Sequence, residues 1–290
     1  LEDHDLKREL LDGAREGVPL TAVAERLRMA GRLPTAGFGE ALIEPRLARL
    51  SRQVESWRRE VAECVASPPP LVRHGDGHDK ALTLEARLDG LFAAPAEATA
   101  PWRLVTLEPG HYGHLKVEGE GPYRHVGKLH RLYAGYLRWL LANATLEAAC
   151  AWTAIFEDRC LLLPGLDKAS AAGELDGLLA AWARAYRAPW PAIDEIAKEV
   201  WKRVPRADWA PLAAGDMPDA GLREALIARY ETDAFAGPSA LRASDGALGQ
   251  LWPDFATFEA AGGIAASLTQ YAPLMDMLAR ITQRVHGGRS

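Results

Sequence analysis

Cysteine is scarce: Cys64, Cys150 and Cys160 are the three in 290 residues, and no two form a CxxC pair. A disulfide framework is excluded, and a zinc ribbon or redox centre has nothing to start from, so buried thiols are expected. No apolar run approaches the roughly 20 residues that a bilayer span needs. No charged start followed by an apolar stretch reads as a secretory signal, so the expected setting is cytoplasmic, with no membrane partner. Also missing are a GxxxxGK(S/T) phosphate loop, a GxGxxG turn after a strand and a GxSxG nucleophile elbow, which leaves nucleotide binding and serine hydrolysis unsupported. Neither sign of charge dominates: 34 Lys and Arg face 39 Asp and Glu, for a net charge of −5. Any nucleic-acid footprint is therefore a local patch. What is present is an ordinary globular composition, 48% hydrophobic and 25% charged, in a chain long enough for one large domain or two smaller ones. It opens on Leu1 and closes on Gly287, Gly288, Arg289 and Ser290, and is read as a piece of something longer.

Residues 1 to 66 carry helical spacing throughout. Leu20, Val23, Ala24 and Leu27 recur at three and four, and a longer helix is expected from Phe38, with Ile43, Leu47, Leu50, Val54, Trp57, Val61 and Cys64 as its apolar stripe. Pro45 either kinks that helix or marks its first turn. Ser67 and three prolines then stop it, and a boundary is placed at residue 70. From Ala81 the period changes to two: Leu82, Leu84, Ala86 and Leu88 alternate with polar residues, which predicts a half-buried strand reaching Phe92. Trp102 to Glu108 predicts a second strand, able to pair antiparallel with the first. An amphipathic helix is expected over Arg124 to Leu141, and a hairpin from Ala151–Phe156 and Cys160–Leu163, ended by Pro164. Leu175–Tyr186, Ile193–Val204, Leu222–Tyr230 and Gly263–Val285 all show helical spacing.

Two groups of residues could carry chemistry. His74 and His78 with Asp76 and Asp79, and His111 with His114, lie in glycine-containing loops where imidazole and carboxylate can hold zinc or manganese. Because no helix fixes their spacing, exposed loop histidines are the plainer expectation. The second group is basic: Arg124, Lys128, Arg131 and Arg138 fall opposite the apolar stripe of the expected helix, with Lys116, His125 and His130 nearby. Point charges repeated along one face can follow a phosphate backbone, and a solvated helix face is the alternative.

Several stretches resemble a known family. They are Leu27-Arg-Met-Ala-Gly-Arg-Leu-Pro34 with Gly37-Phe-Gly-Glu40 and Glu44, Ala86-Arg-Leu-Asp-Gly-Leu91, Arg103-Leu-Val-Thr-Leu-Glu-Pro-Gly110, Leu137-Arg-Trp-Leu140 and Tyr271-Ala-Pro-Leu274. In that order they are similar to the C-terminal part of the gamma chain of bacterial exonuclease V, the RecC family. The resemblance implies an α/β fold of the α+β kind: a helical segment over residues 1–70, then a restriction-endonuclease-like domain over 71–290, its small mixed sheet flanked by helices. It implies a noncatalytic subunit that guides and splits duplex or forked DNA in break repair and recombination. The implied partners are the beta and alpha chains, RecB-like and RecD-like, and the C-terminal domain is implicated in docking the alpha chain.

A working nuclease of that fold needs an acid and an Asp/Glu-x-Lys on adjacent strands to hold magnesium and orient water. Only Lys7 has an acid two residues before it, Asp5, on an expected helix. The hairpin strand where the motif is expected reads Cys160-Leu-Leu-Leu-Pro-Gly-Leu166. The expectation is thus a degenerate site with no catalytic residue, no metal ligand and no cofactor, and with Lys116, Arg124, Lys128 and Arg131 as the nucleic-acid contacts. The competing expectation is a metal-dependent nuclease or hydrolase built on His74, His78, His111 and His114.

Overall fold

A computed structural model describes residues 3–33, 37–75, 82–96, 98–113, 115–116, 125–215, 220–231, 241 and 246–286. Three helices open the chain: α1 (Asp3–Arg15), α2 (Leu20–Met29) and α3 (Gly37–Val61). They share a core in which Leu6, Leu10 and Leu11 of α1 meet Val23, Ala24 and Leu27 of α2 and Ile43, Leu50 and Val54 of α3, the spacing-three-and-four positions seen in the sequence. Pro45 sits inside α3 rather than in its first turn.

The far end of α3 lies on a sheet. Gln53, fully buried, donates from Nε2 to the carbonyls of Glu108 (2.9 Å) and Ile155 (2.7 Å), and Trp57 and Val61 pack against Val105, Ile155 and Cys160. Glu60 pairs with Arg103 at 3.6 Å and with Arg284 at 2.6 Å, so one carboxylate ties α3 to a central strand and to an edge strand.

That sheet has six strands among the described residues, β1 (Val65–Ala66), β4 (Leu91–Ala93), β5 (Trp102–Leu107), β8 (Cys150–Ile155), β9 (Arg159–Leu163) and β10 (Thr282–Val285), in this spatial order. β5 and β8 run parallel, joined over the sheet by α4 (Tyr133–Thr145), and the other pairings are antiparallel. Alternation along β5 sends Leu104 to the α4 side and Val105 to the α3 side, so the sheet is the middle of three layers. The expected antiparallel pair is present as β4 and β5, with Leu91 opposite Leu104. The expected hairpin is present as β8 and β9, with Ile155 opposite Cys160. Cys150 and Cys160 are buried, and burial pushes their thiols up to about 12 and about 11.

Three expectations are corrected. The strand expected over Leu82–Phe92 is two: β3 (Leu84–Arg87) pairs with β2 (Leu71–His74) in a separate ribbon, and the chain turns at Gly90, whose φ of +79° breaks the run before β4. The helix expected over Arg124–Leu141 begins later. His125–Val126 is a short strand, β7, paired with β6 (Leu115–Lys116); Leu129–Leu132 is a 3-10 turn, and α4 starts at Tyr133. Gly127 accounts for the break: its φ is +60°, and a Cβ there would sit 2.6 Å from the buried Tyr112 ring. Leu137, assigned to the apolar stripe, is exposed, while Trp139 is buried. Finally, the helix expected to run through Val285 ends at Leu278 (Gly263–Leu278), and Thr282–Val285 becomes the edge strand β10 beside β9.

The remaining helices α5 (Lys168–Arg187), α6 (Asp194–Arg203) and Ala220–Glu231 fall where the spacing placed them. Asp167 caps α5 by accepting from the Ser170 amide at 2.9 Å. Among the described residues no helix is long and apolar enough to cross a membrane.

Candidate nucleic-acid interface

The four cations proposed from sequence do not lie on one helix face. Lys116 is in the two-residue strand β6, opposite His125, and Arg124 lies outside the described residues. Lys128 is exposed just before the 3-10 turn, its amide held by the Tyr112 carbonyl at 2.9 Å. Arg131 is half-buried. Its Nη1 donates to the Pro109 carbonyl, its guanidinium fills the space that a side chain at Gly110 would need, and its Nε is buried without a hydrogen-bond acceptor. Arg138 is exposed on α4, beyond the break.

The histidine loops separate as well. His74 Nε2 is 2.8 Å from Asp176 of α5, and His111 Nε2 is 3.3 Å from Glu157 at the β8–β9 turn. Asp76, His78, Asp79 and His114 lie outside the described residues. Among the described residues no three His, Cys, Asp or Glu are grouped to hold a metal.

Charge instead collects where β5 and the parallel β8 end. Glu157, with 1% of its side chain exposed, receives Lys7 of α1 at 2.8 Å on one oxygen and faces His111 on the other. Lys7 thus meets an acid from the hairpin rather than working with Asp5, a contact across the whole fold that no local spacing announces. Next to it, Asp158 accepts from the amides of Tyr112 (2.8 Å) and Gly113 (3.2 Å) and from Arg159 Nε (2.8 Å). Burial works to raise its pKa, but these donors and the Arg159 charge hold the carboxyl below its ordinary value.

Beside these groups a cleft of about 790 Å³ opens between α1, the sheet and α4. Asp89, two residues before β4, and Thr106 and Glu108, at the end of β5, line it on the sheet side; Arg8, Arg15 and Arg138 line it from the helices. Thr106 Oγ1 accepts from Trp152 Nε1 at 3.1 Å. Burial pushes the Glu108 carboxyl above its ordinary value, against the Thr106 hydroxyl and the charges of Arg138, Arg8 and Arg131. β4 and β5 pair antiparallel, with Asp89 two residues before β4 and Thr106, Leu107 and Glu108 at the finishing end of β5. Four acidic residues line the cleft, Asp12 and Glu16 at the α1 side and Asp89 and Glu108 at the sheet side, and the described residues lining it include no lysine.

The family described as the RecC C-terminal domain matches residues 1–204, which includes α1 to α6 and the cleft and stops short of Tyr271–Leu274. No curated protein matches the chain.

Proposed function

The chain belongs to the family of RecC C-terminal domains, and on that premise we propose that it is a noncatalytic, DNA-guiding piece of the gamma subunit of a RecBCD-type helicase-nuclease. Membership itself implies a part in a gamma subunit and in DNA repair and recombination. In this reading residues 71–290 form a nuclease-like domain on which the helices of the segment 1–70 lean, that segment also giving the sheet its edge strand β1 where the sequence predicts helix through residue 66. The partners are the beta and alpha chains and duplex or forked DNA, in the cytoplasm. The observation that carries it is the cleft: Asp89, Thr106 and Glu108 line it at the sheet side, and no lysine is among its described lining residues. Without a lysine there, the group that would orient an attacking water in a nuclease motif is missing from that lining. Arg8, Arg15 and Arg138 in the cleft supply charge of the sign that DNA needs, and Lys128, before the 3-10 turn that leads into α4, is an exposed cation.

The test is co-purification of the full-length protein with its beta and alpha chains, followed by unwinding of forked DNA. Assembly and unwinding that survive replacement of both Asp89 and Glu108 by alanine support the reading. Metal-dependent cleavage of the forked DNA that disappears in this variant, with assembly intact, would show that the cleft does chemistry and overturn the noncatalytic reading.

A further inference from the structure

We propose that the last two turns of α5 form a stacking platform for single-stranded DNA, with Trp182 and Tyr186 as the rings and Arg187 as the phosphate contact. This rests on the DNA-guiding reading and adds a site to it. Trp182 is 51% exposed and Tyr186 84%, and the other large aromatic side chains among the described residues are at least half covered. Four residues apart on one helix, the two rings stand about 6 Å apart along the axis on the same face, a spacing that successive bases of an extended strand can match. Of the residues between the rings, Ala183 and Ala185 are small, and the larger apolar neighbours Leu178 and Leu179, one turn before Trp182, are half-buried. Every base has a face to stack, so such a platform is tolerant of sequence.

Charge points the same way. From Gly177 to Ile193 the chain carries Arg184 and Arg187 and no acidic residue, although acids outnumber basic residues overall. The acids of α5, Glu174 and Asp176, lie in its first half, where they engage Tyr136 and His74. Arg184 lies over the Trp190 ring at 4.5 Å and holds the following loop to the helix end, which leaves Arg187 as the exposed cation beside the rings. The helix dipole explains arginines in a last turn, but it does not explain two exposed rings beside them.

The experiment measures binding of a labelled oligo-dT of about 16 nucleotides to the full-length protein by fluorescence anisotropy, with forked duplex as the second ligand. Replacing Trp182 and Tyr186 together by alanine should weaken oligo-dT binding at least about tenfold. Trp182→Phe should retain most of it and Trp182→Leu should not. Arg187→Ala should flatten the salt dependence by about 0.7 in log–log slope. Both rings are exposed, so thermal unfolding should hardly change. Oligo-dT affinity untouched by the ring substitutions, or fully kept by Trp182→Leu, overturns the site. Lost binding of a partner chain with oligo-dT affinity intact makes it a protein interface and also overturns the site. If neither oligo-dT nor forked duplex binds the unmodified protein, the DNA-guiding reading itself fails.

Discussion

The two ends of the parallel pair β5 and β8 are built in opposite ways. At the starting end everything is closed. Asn143, 2% exposed, donates to the Trp139 and Cys150 carbonyls and accepts from the Cys150 and Leu166 amides, and Trp139 Nε1 reaches the same Cys150 carbonyl. At the finishing end the chain places Glu108, Glu157, Asp158, Lys7 and His111 next to an open cleft. Ligands of open α/β sheets bind outside the finishing ends of parallel strands, because loops there are free to diverge while the starting ends pack. The contrast teaches that one fold can pack one end of a parallel pair shut and leave carboxylates, cations and a cleft at the other.

The largest effect is expected at the closed end. Asn143→Ala takes the acceptor from the Cys150 and Leu166 amides, and should cost about 2–4 kcal/mol of stability in chemical unfolding. A loss under about 1 kcal/mol would mean that water replaces the side chain, and the closed end would not be closed.

At the open end the buried ion pair comes next. Glu157→Ala leaves Lys7 facing a cavity and should cost about 2–3 kcal/mol. If Lys7→Ala combined with Glu157→Ala is no worse than Glu157→Ala alone, the pair acts as one unit joining α1 to the hairpin; full additivity would separate them.

Smaller effects come from the two shifted carboxyls, which act with opposite sign. Asp158 is held below its unfolded value, so its contribution is complete above that value and is lost as pH falls through the folded one; Asp158→Asn should remove part of the acid-side loss of stability. Glu108 is held above its unfolded value, so its contribution is complete below the unfolded pKa and is lost as pH rises through the folded one. Glu108→Gln should therefore stabilise the protein at neutral pH, by within about 1 kcal/mol, and make urea midpoints less sensitive to rising pH. A destabilising Glu108→Gln would show that the carboxylate is needed charged.

The smallest effect separates two cations once taken together. Lys128→Ala should flatten the salt dependence of duplex binding by about 0.9 in log–log slope without changing stability. Arg131→Ala should instead lower stability, since its guanidinium holds the Pro109 carbonyl.

Much of this frame is legible in the sequence. The α3 stripe, the β8–β9 hairpin and the β4–β5 pairing follow from local period, because each is decided by which residues alternate between core and water. What escaped was decided at a distance. Gly127 ends a helical pattern because Tyr112, fifteen residues earlier, occupies the space a side chain would need. Thr282–Val285 is a strand only because β9 offers a free edge, and its own four residues are all exposed. Lys7 looked like half of a motif with Asp5 and is half of an ion pair with Glu157. The basic stripe assumed one continuous helix, and the break at Gly127 divides it.

The central claim is that the cleft at the open end keeps the form of a nuclease site without its chemistry. The direct measurement is cleavage of labelled duplex and forked DNA by untagged protein with magnesium or manganese, beside Asp89→Ala and Glu108→Ala variants. The account predicts no metal-dependent cleavage above background and no difference between the unmodified protein and either variant. Cleavage that depends on the metal and disappears with Asp89 or Glu108 would contradict it.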